Sequence, residues 1–124
     1  MSEEAPSEKG PKEACLYQTR SGFCPFEEWL ASLTDRKAAA AVRARIARCR
    51  AGNLGHCRPV GHGVSEMKID FGPGLRVYFG EVGRTIVILL CGGVKKSQKR
   101  DIEAAQAYWA DYWERGHEAR KALS

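Results

Sequence analysis

The sequence has no long apolar run. The longest one covers residues 86–91, whereas a membrane-spanning helix needs roughly 20 apolar residues in succession. Residues 1–14 also lack the basic and apolar regions of a secretory signal. We therefore expect a cytoplasmic protein that does not cross a membrane.

The cysteine pattern lacks the spacing of a disulfide framework or of a zinc site. The chain has 5 cysteines, an odd number, and it has no C-x-x-C pair. His56, Cys57 and His62 are close in sequence, but they lie in a glycine-rich stretch with no fourth ligand nearby. We expect no metal and no other cofactor, and we expect most cysteines to be small buried residues.

The chain of 124 residues is long enough for one domain with its own core. Residues 1–14 contain glutamates and lysines but no large apolar side chain, which predicts a disordered acidic tail. We expect the folded domain in residues 15–113 and a C-terminal tail in residues 114–124.

Apolar residues with helical spacing predict three helices. Pro25 opens the first, in residues 25–33. The second is the alanine-rich segment 36–51, and the third follows a capping Ser97. We interpret the aromatic residues of the third helix as packing onto a sheet. They are Trp109, Tyr112 and Trp113.

Alternating apolar and polar residues predict the strands. Residues 65–71 and 75–79 alternate on either side of a glycine-proline-glycine turn, which predicts an antiparallel hairpin. Residues 85–91 are apolar on both sides and predict a central strand. A short strand in residues 15–19 precedes the first helix. This order of elements predicts an α+β domain.

Positive charge is concentrated in residues 36–58, which contain no acidic residue. The basic residues there are Arg36, Lys37, Arg43, Arg45, Arg48, Arg50 and Arg58. A second basic cluster lies in residues 95–100. Such segregation indicates an anionic partner, either nucleic acid or an acidic protein. A solvated helix face without a partner is the alternative.

The predicted hairpin brings further polar residues together. Because side chains alternate along a strand, Lys68, Arg76 and Tyr78 should meet on one open face. The segment after the central strand delivers Lys95, Lys96 and Gln98 to the edge of the same sheet.

This grouping suits RNA cleavage by the 2′-hydroxyl, which needs groups for proton transfer and cations for the phosphorane. Histidines lie only in predicted loops or in the tail, and no carboxylate cluster suits two metal ions. The lysines then remain as proton-transfer groups, with Arg76 as a bidentate phosphate clamp. A merely solvated polar face is the alternative.

Several blocks, in order, resemble the HigB-like addiction module killer proteins of the RelE/ParE superfamily. The similarity covers about residues 15–113. The blocks are GNLG at 52–55, VGHGVSEMKID at 60–70, GPGLRVYF at 72–79, LLCGG at 89–93, KKSQ at 95–98 and DI at 101–102. Several spaced blocks in the right order are more specific than any one of them.

The resemblance implies a toxin of a type II toxin–antitoxin system. Such a toxin has a RelE-like fold, here expected as a small antiparallel sheet with two N-terminal helices on one face and a C-terminal helix. It cuts mRNA, commonly on the ribosome, and is neutralised by a helix-turn-helix (HigA-like) antitoxin, with a heterotetramer as one expected arrangement.

Carried over block by block, the resemblance makes four residues catalytic. They are Lys68, Arg76, Lys95 and Lys96. The expected contacts with RNA, the ribosome or the antitoxin are Arg43, Arg45, Arg48, Arg50, Arg58, Tyr78 and Gln98. The sequence departs from the group in having Val94 where relatives often carry an acidic residue, and in its long acidic N-terminal extension.

Two other functions stay open at this point. A ParE-like protein shares the fold and inhibits DNA gyrase without catalysis, and the lysines and arginines favour RNA over that alternative. The second is that the chain is an inactive relative of these toxins, and that its basic surface only binds a partner.

Overall fold

The computed structural model describes residues 10–123, which form three helices and one sheet. The helices are α1 (Pro25–Ser32), α2 (Arg36–Arg50) and α3 (Gln98–Arg115). The strands are β1 (Glu13–Tyr17), β2 (Cys57–Pro59), β3 (Ser65–Ile69), β4 (Leu75–Val82), β5 (Ile86–Val94) and β6 (Arg120–Ala122). The predicted α+β class is confirmed.

The sheet is larger than predicted, and it is mixed. Its order is β2-β3-β4-β5-β1-β6, and β1 runs parallel to β5, whereas the other neighbours are antiparallel. The expectation of a small antiparallel sheet was therefore wrong. The two unpredicted strands, β2 and β6, are three-residue edge strands, too short for alternation to be visible in the sequence.

Both ends of the predicted domain differ from the structure. The segment expected as a C-terminal tail completes α3 and then forms β6, which pairs with β1. At the other end, β1 begins at Glu13, inside the segment expected as a disordered tail. Lys12 in the same segment is also buried, and its backbone N–H donates a hydrogen bond to the Arg50 carbonyl oxygen (2.8 Å). Residues 1–9 lie outside the described residues.

Helices cover both faces of the sheet. On one face α1 and α2 pack against a core that includes Phe26, Val42 and Met67. On the other face α3 packs against a second core that includes Tyr78 and Trp109. The face of the hairpin that was expected to be open is thus partly covered by α3.

Local sequence explains how the helices begin. Pro25 occupies the start of α1, where its missing N–H costs nothing. Asp35 caps α2, and its Oδ1 accepts hydrogen bonds from the backbone N–H groups of Lys37 (2.8 Å) and Ala38 (3.4 Å).

The third helix rests on the sheet through an aromatic group, as predicted for Trp109 and Tyr112. Their rings stack at 5.2 Å and both side chains are buried, whereas Trp113 is 59% exposed and contacts the other two edge-on. Within residues 10–123, no helix is both long and apolar enough to cross a membrane.

Candidate functional site

Lys68 and Arg76 lie side by side. They are paired residues in the β3–β4 register, and Arg76 in turn faces Gly93 of β5. A Cβ atom placed on Gly74 would stand 3.4 Å from Arg76 Nη1 and 3.8 Å from Lys68 Cε, so both side chains reach the same glycine. The juxtaposition predicted from strand alternation is present.

The two side chains differ in exposure. Lys68 is exposed, whereas only 6% of Arg76 is accessible and Tyr78 is fully buried. The expectation of an open face was therefore wrong for Arg76 and Tyr78. The reason is that α3 crosses this face, and Tyr78 belongs to the core beneath that helix.

A buried carboxylate, Glu66, gathers the polar side chains of this face. Its Oε2 accepts hydrogen bonds from the Tyr78 hydroxyl (2.9 Å) and from Gln98 Nε2 (2.8 Å). Its Oε1 accepts one from Arg58 Nε (2.8 Å). Glu66 is itself only 3% exposed. We call Glu66, Lys68, Arg76 and Tyr78 the hairpin site.

The hydrogen bonds keep Glu66 ionised. Burial acts to raise the pKa of its carboxyl, but the bonds from Gln98, Tyr78 and Arg58 outweigh burial and lower that pKa below its usual value. Burial, followed by the bond to Glu66, raises the pKa of the Tyr78 hydroxyl. Tyr78 is therefore a protonated donor that supports Glu66, and it is not available for the expected contact with RNA.

Arg76 has unused hydrogen-bonding capacity. Its Nε lies 3.6 Å from Glu66 Oε2, which is an ion pair but too long for a good hydrogen bond. Neither Nε nor Nη1 has a hydrogen-bond partner, although both atoms are buried. A guanidinium has five N–H donors, so the positive charge of Arg76 is only partly matched by hydrogen bonds within the described chain.

The predicted lysine pair lies at the same end of the sheet. Val94 pairs with Leu75 at the end of β5, and a 3₁₀ turn, Lys95–Ser97, follows directly. Lys95 and Lys96 are exposed there. Gln98, expected to contact a partner, instead donates its amide to Glu66.

The arginines of α2 divide between two surfaces. Arg43 and Arg50 line a groove of about 440 Å³ between α1 and α2, together with apolar side chains such as Phe26 and Leu30. Arg48 lies on the opposite flank of the helix, in a cleft that it shares with Lys68. We call the first surface the α1/α2 groove and the second the β3 cleft.

Arg45 does not occupy the exposed position that was expected for it. Only 7% of this residue is accessible, and a Cβ atom on Gly55 would stand 2.4 Å from its Nη2, so the guanidinium lies directly under that glycine. Of the two arginines on this flank that were expected to contact a partner, only Arg48 is exposed. Arg58, in contrast, has a side chain that is 58% exposed.

Sequence reasoning missed Glu66 as the centre of the hairpin site. Its position was readable, because it precedes Lys68 by two residues on one strand and pairs with Tyr78 on the next. Its burial could not be predicted from the sequence, because the burial depends on how α3 packs on the sheet. Among residues 10–123, no group of three or more His, Cys, Asp or Glu side chains is arranged to hold a metal ion.

Comparison with known proteins finds a relative in Haemophilus influenzae, an uncharacterized protein. The two sequences are 43% identical over 81 residues, which is 65% of this chain and 82% of the relative. The chain belongs to the family of this Haemophilus protein. No family model matches the chain, and no solved structure does. The name of this relative states no activity, so the family assignment alone does not indicate a function.

Proposed function

We propose that the chain is the toxin of a type II toxin–antitoxin system, an mRNA-cleaving endoribonuclease that inhibits translation. The supporting observation is the hairpin site, where exposed Lys68 stands beside a buried Arg76 with two nitrogen atoms unpartnered. The blocks that resemble HigB-like toxins include both residues. The ribosome supplies the mRNA in this proposal.

In the proposed reaction the 2′-oxygen attacks the adjacent phosphorus, the P–O5′ bond breaks, and a 2′,3′-cyclic phosphate and a 5′-hydroxyl result. Lys68 contacts the phosphate from the solvent side, and Arg76 supplies fixed positive charge beneath it. The exposed Lys95 and Lys96 are the groups for proton transfer to and from the two oxygens. Glu66 is a positioning residue, because it acts only through Arg76.

The proposed partner is a helix-turn-helix antitoxin, with a heterotetramer as one arrangement. The α1/α2 groove suits an amphipathic acidic segment of such a protein, because most of its lining is apolar and Arg43 and Arg50 outnumber its one acidic residue, Glu27. A segment bound in this groove does not itself cover the hairpin site. Blocking that site would require another part of the antitoxin.

The test is to induce the chain without an antitoxin and to map new 5′ ends in cellular mRNA. We expect cleavage with the unaltered protein and a loss of about 100-fold or more with Lys68→Ala or Arg76→Ala. Lys37→Ala, an exposed lysine of α2, is the matched control and should cleave normally. Circular dichroism must show that each variant is folded. Intact mRNA with continued translation would contradict the proposal.

A second candidate, inhibition of DNA gyrase without catalysis, is favoured by one observation. Arg76 and Tyr78 are buried, so fewer reactive groups reach the surface than the sequence predicted. Supercoiling by purified gyrase, measured with and without the chain, separates the two candidates. Gyrase inhibition with intact mRNA would select the second, and no effect on growth would indicate an inactive relative.

A further inference from the structure

The β3 cleft is a basic depression next to the hairpin site. It has a volume of about 420 Å³, within the range of roughly 300–1,000 Å³ that is usual for small-ligand sites. Arg45 and Arg48 of α2 and His56 of the following loop form one wall, and Lys68 forms the other. Asp70 is the one acidic residue among those that line it.

Arg45 is a buried cation without a matching anion. Its Nη2 makes a single long hydrogen bond, 3.4 Å, to the carbonyl oxygen of His56, and its Nη1 has no partner. In the described part of the chain, no carboxylate lies within ion-pair distance of it. A buried charge that lacks a partner costs several kcal/mol by general estimates, so its presence calls for a compensating group.

The nearest titratable neighbours of Arg45 do not supply that group. Burial raises the pKa of the Cys49 thiol to about 11. Burial also raises the pKa of Cys57, although the Arg45 guanidinium opposes the rise. Both thiols are therefore neutral near pH 7. Asp70 lines the same cleft, but it is not within ion-pair distance of Arg45. The described chain therefore places no negative charge in direct contact with this guanidinium.

Lys68 connects the cleft to the hairpin site. Its side chain lines the cleft and also stands beside Arg76 at Gly74. Lys68 thus stands between Arg76 on one side and the cleft lined by Arg48 and Arg45 on the other, with Asp70 as the one acidic residue of that cleft. A row of cations of this kind follows a nucleic-acid backbone better than it holds one isolated anion.

We infer that the β3 cleft binds a backbone phosphate of single-stranded RNA, adjacent to the phosphate that is cleaved. Arg48 makes the direct contact and Arg45 adds positive charge from beneath the cleft, while Lys68 is shared between the two phosphates. The inference rests on the proposed function for its choice of RNA. Apart from Ile69 the cleft has only alanines as apolar lining, so it offers no anchor for an amphipathic protein segment, unlike the α1/α2 groove.

The test measures binding and not cleavage. The probe is a fluorescent ten-nucleotide oligouridine with 2′-O-methyl riboses, which lacks the attacking hydroxyl. Anisotropy titrations at several salt concentrations compare the unaltered protein, Arg48→Ala, and the matched control Arg36→Ala. Arg36 is also exposed on α2, but it lies 12 residues away, about 18 Å along the helix axis and on a different side.

We expect Arg48→Ala to weaken binding by about 3- to 10-fold and to lower the slope of log K against log salt by about 0.7, the value for one phosphate of a single strand. Arg36→Ala should change neither. Equal losses in the two variants would show diffuse attraction by the net charge, and no loss in either would show that the cleft is not used. Both results would overturn the inference.

Two further outcomes separate this inference from the proposed function. Oligonucleotide binding that depends on Arg48, in a protein that leaves mRNA intact, would support the cleft and reject the nuclease. If the protein cleaves mRNA but Arg48→Ala binds the oligonucleotide as well as the unaltered protein does, the nuclease proposal is supported and the cleft inference is rejected. A polyglutamate peptide serves as competitor: if Arg48→Ala weakens binding of the peptide but not of the RNA, the cleft is a protein-docking site and the inference is wrong.

Discussion

Glu66 keeps a negative charge in a buried position because hydrogen-bond donors and a guanidinium stabilise its carboxylate. Three hydrogen bonds and the ion pair with Arg76 surround its two oxygens. These groups come from three parts of the chain: Arg58 from β2, Tyr78 and Arg76 from β4, and Gln98 from α3. The residue therefore links the edge of the sheet to the helix that covers it.

Replacing Glu66 with Gln should reduce the free energy of unfolding by about 3 kcal/mol at pH 7, since it leaves Arg76 buried without an anion. Because the pKa of Glu66 is lowered in the folded state, its contribution is complete above the usual value of 4.5 and is lost as the pH falls below it. The difference between Glu66→Gln and the unaltered protein should therefore shrink in acid. Urea unfolding at pH 7, 5 and 3.5 measures it.

Arg58→Ala is the control for this prediction. It removes one hydrogen bond to the same carboxylate, but the Arg58 side chain is 58% exposed, so the expected cost is below about 1 kcal/mol. Equal stability of Glu66→Gln and the unaltered protein at pH 7, or a difference that stays constant into acid, would show that Glu66 does not hold the site together.

At this scale the sequence predicted neighbours better than it predicted burial. Strand alternation placed Lys68 beside Arg76 because the side-chain period of a strand is fixed. It did not show that Arg76 and Arg45 are buried, because that depends on α3 and on the 53–56 loop, which come from distant or irregular parts of the chain. The polar residues of the hairpin were interpreted as solvent-facing, and here three of the five, Glu66, Arg76 and Tyr78, are buried.

At the scale of elements, α3 determines what is accessible on the hairpin. It lies close to the sheet because β4 has a glycine where the helix has its largest side chain: a Cβ atom on Gly80 would stand 2.5 Å from the Trp109 ring. The sequence predicted α3 and the packing of Trp109. It did not show which strand would receive the ring, since a glycine in a strand has no pattern of its own.

Gly80→Ala should destabilise the protein by about 1–3 kcal/mol, because the added methyl group overlaps the indole ring and α3 must shift. In a Trp109→Leu background the same substitution should cost little, since the ring is gone. A double-mutant cycle, with urea unfolding followed by circular dichroism, measures the coupling.

The expected coupling energy between Gly80 and Trp109 is about 1–3 kcal/mol, of the size found for residues in direct contact. Additive effects of the two substitutions would mean that α3 does not rest on Gly80. The same variants connect packing to the proposed activity. If α3 shifts, Gln98 at its start should lose its bond to Glu66, and cleavage of mRNA should fall with Gly80→Ala.

At the scale of the whole molecule, the last described segment forms the edge strand on one side of the sheet. β6 pairs with β1, Ala119 is fully buried beside it, and Arg120 Nη1 donates a hydrogen bond to the Tyr112 hydroxyl (2.9 Å). The sequence did not predict this return of the chain, because a three-residue strand rich in charge resembles a tail. The parallel pairing of β1 with β5 was equally invisible, since it joins segments about 70 residues apart.

A stop codon after Arg115 should leave β1 as an exposed edge strand. The chain would lose the β1–β6 pairing and expose the backbone edge of Cys15, Leu16 and Tyr17, whose side chains belong to the two cores. An uncovered apolar edge tends to pair with another copy of itself. We therefore expect a lower melting temperature and concentration-dependent association, measured by thermal unfolding and by light scattering after size-exclusion chromatography.

Lys121→Ala is the control for the truncation, because it removes only a long surface ion pair with Glu27 (3.9 Å) and keeps the strand. Its melting temperature and its state of association should match those of the unaltered protein. A truncated chain that is equally stable and does not associate would show that β6 is dispensable. The hairpin site lies on β3 and β4, which β5 and β1 separate from β6. A folded truncated chain should therefore still bind the oligouridine probe, which separates loss of the edge strand from loss of the site.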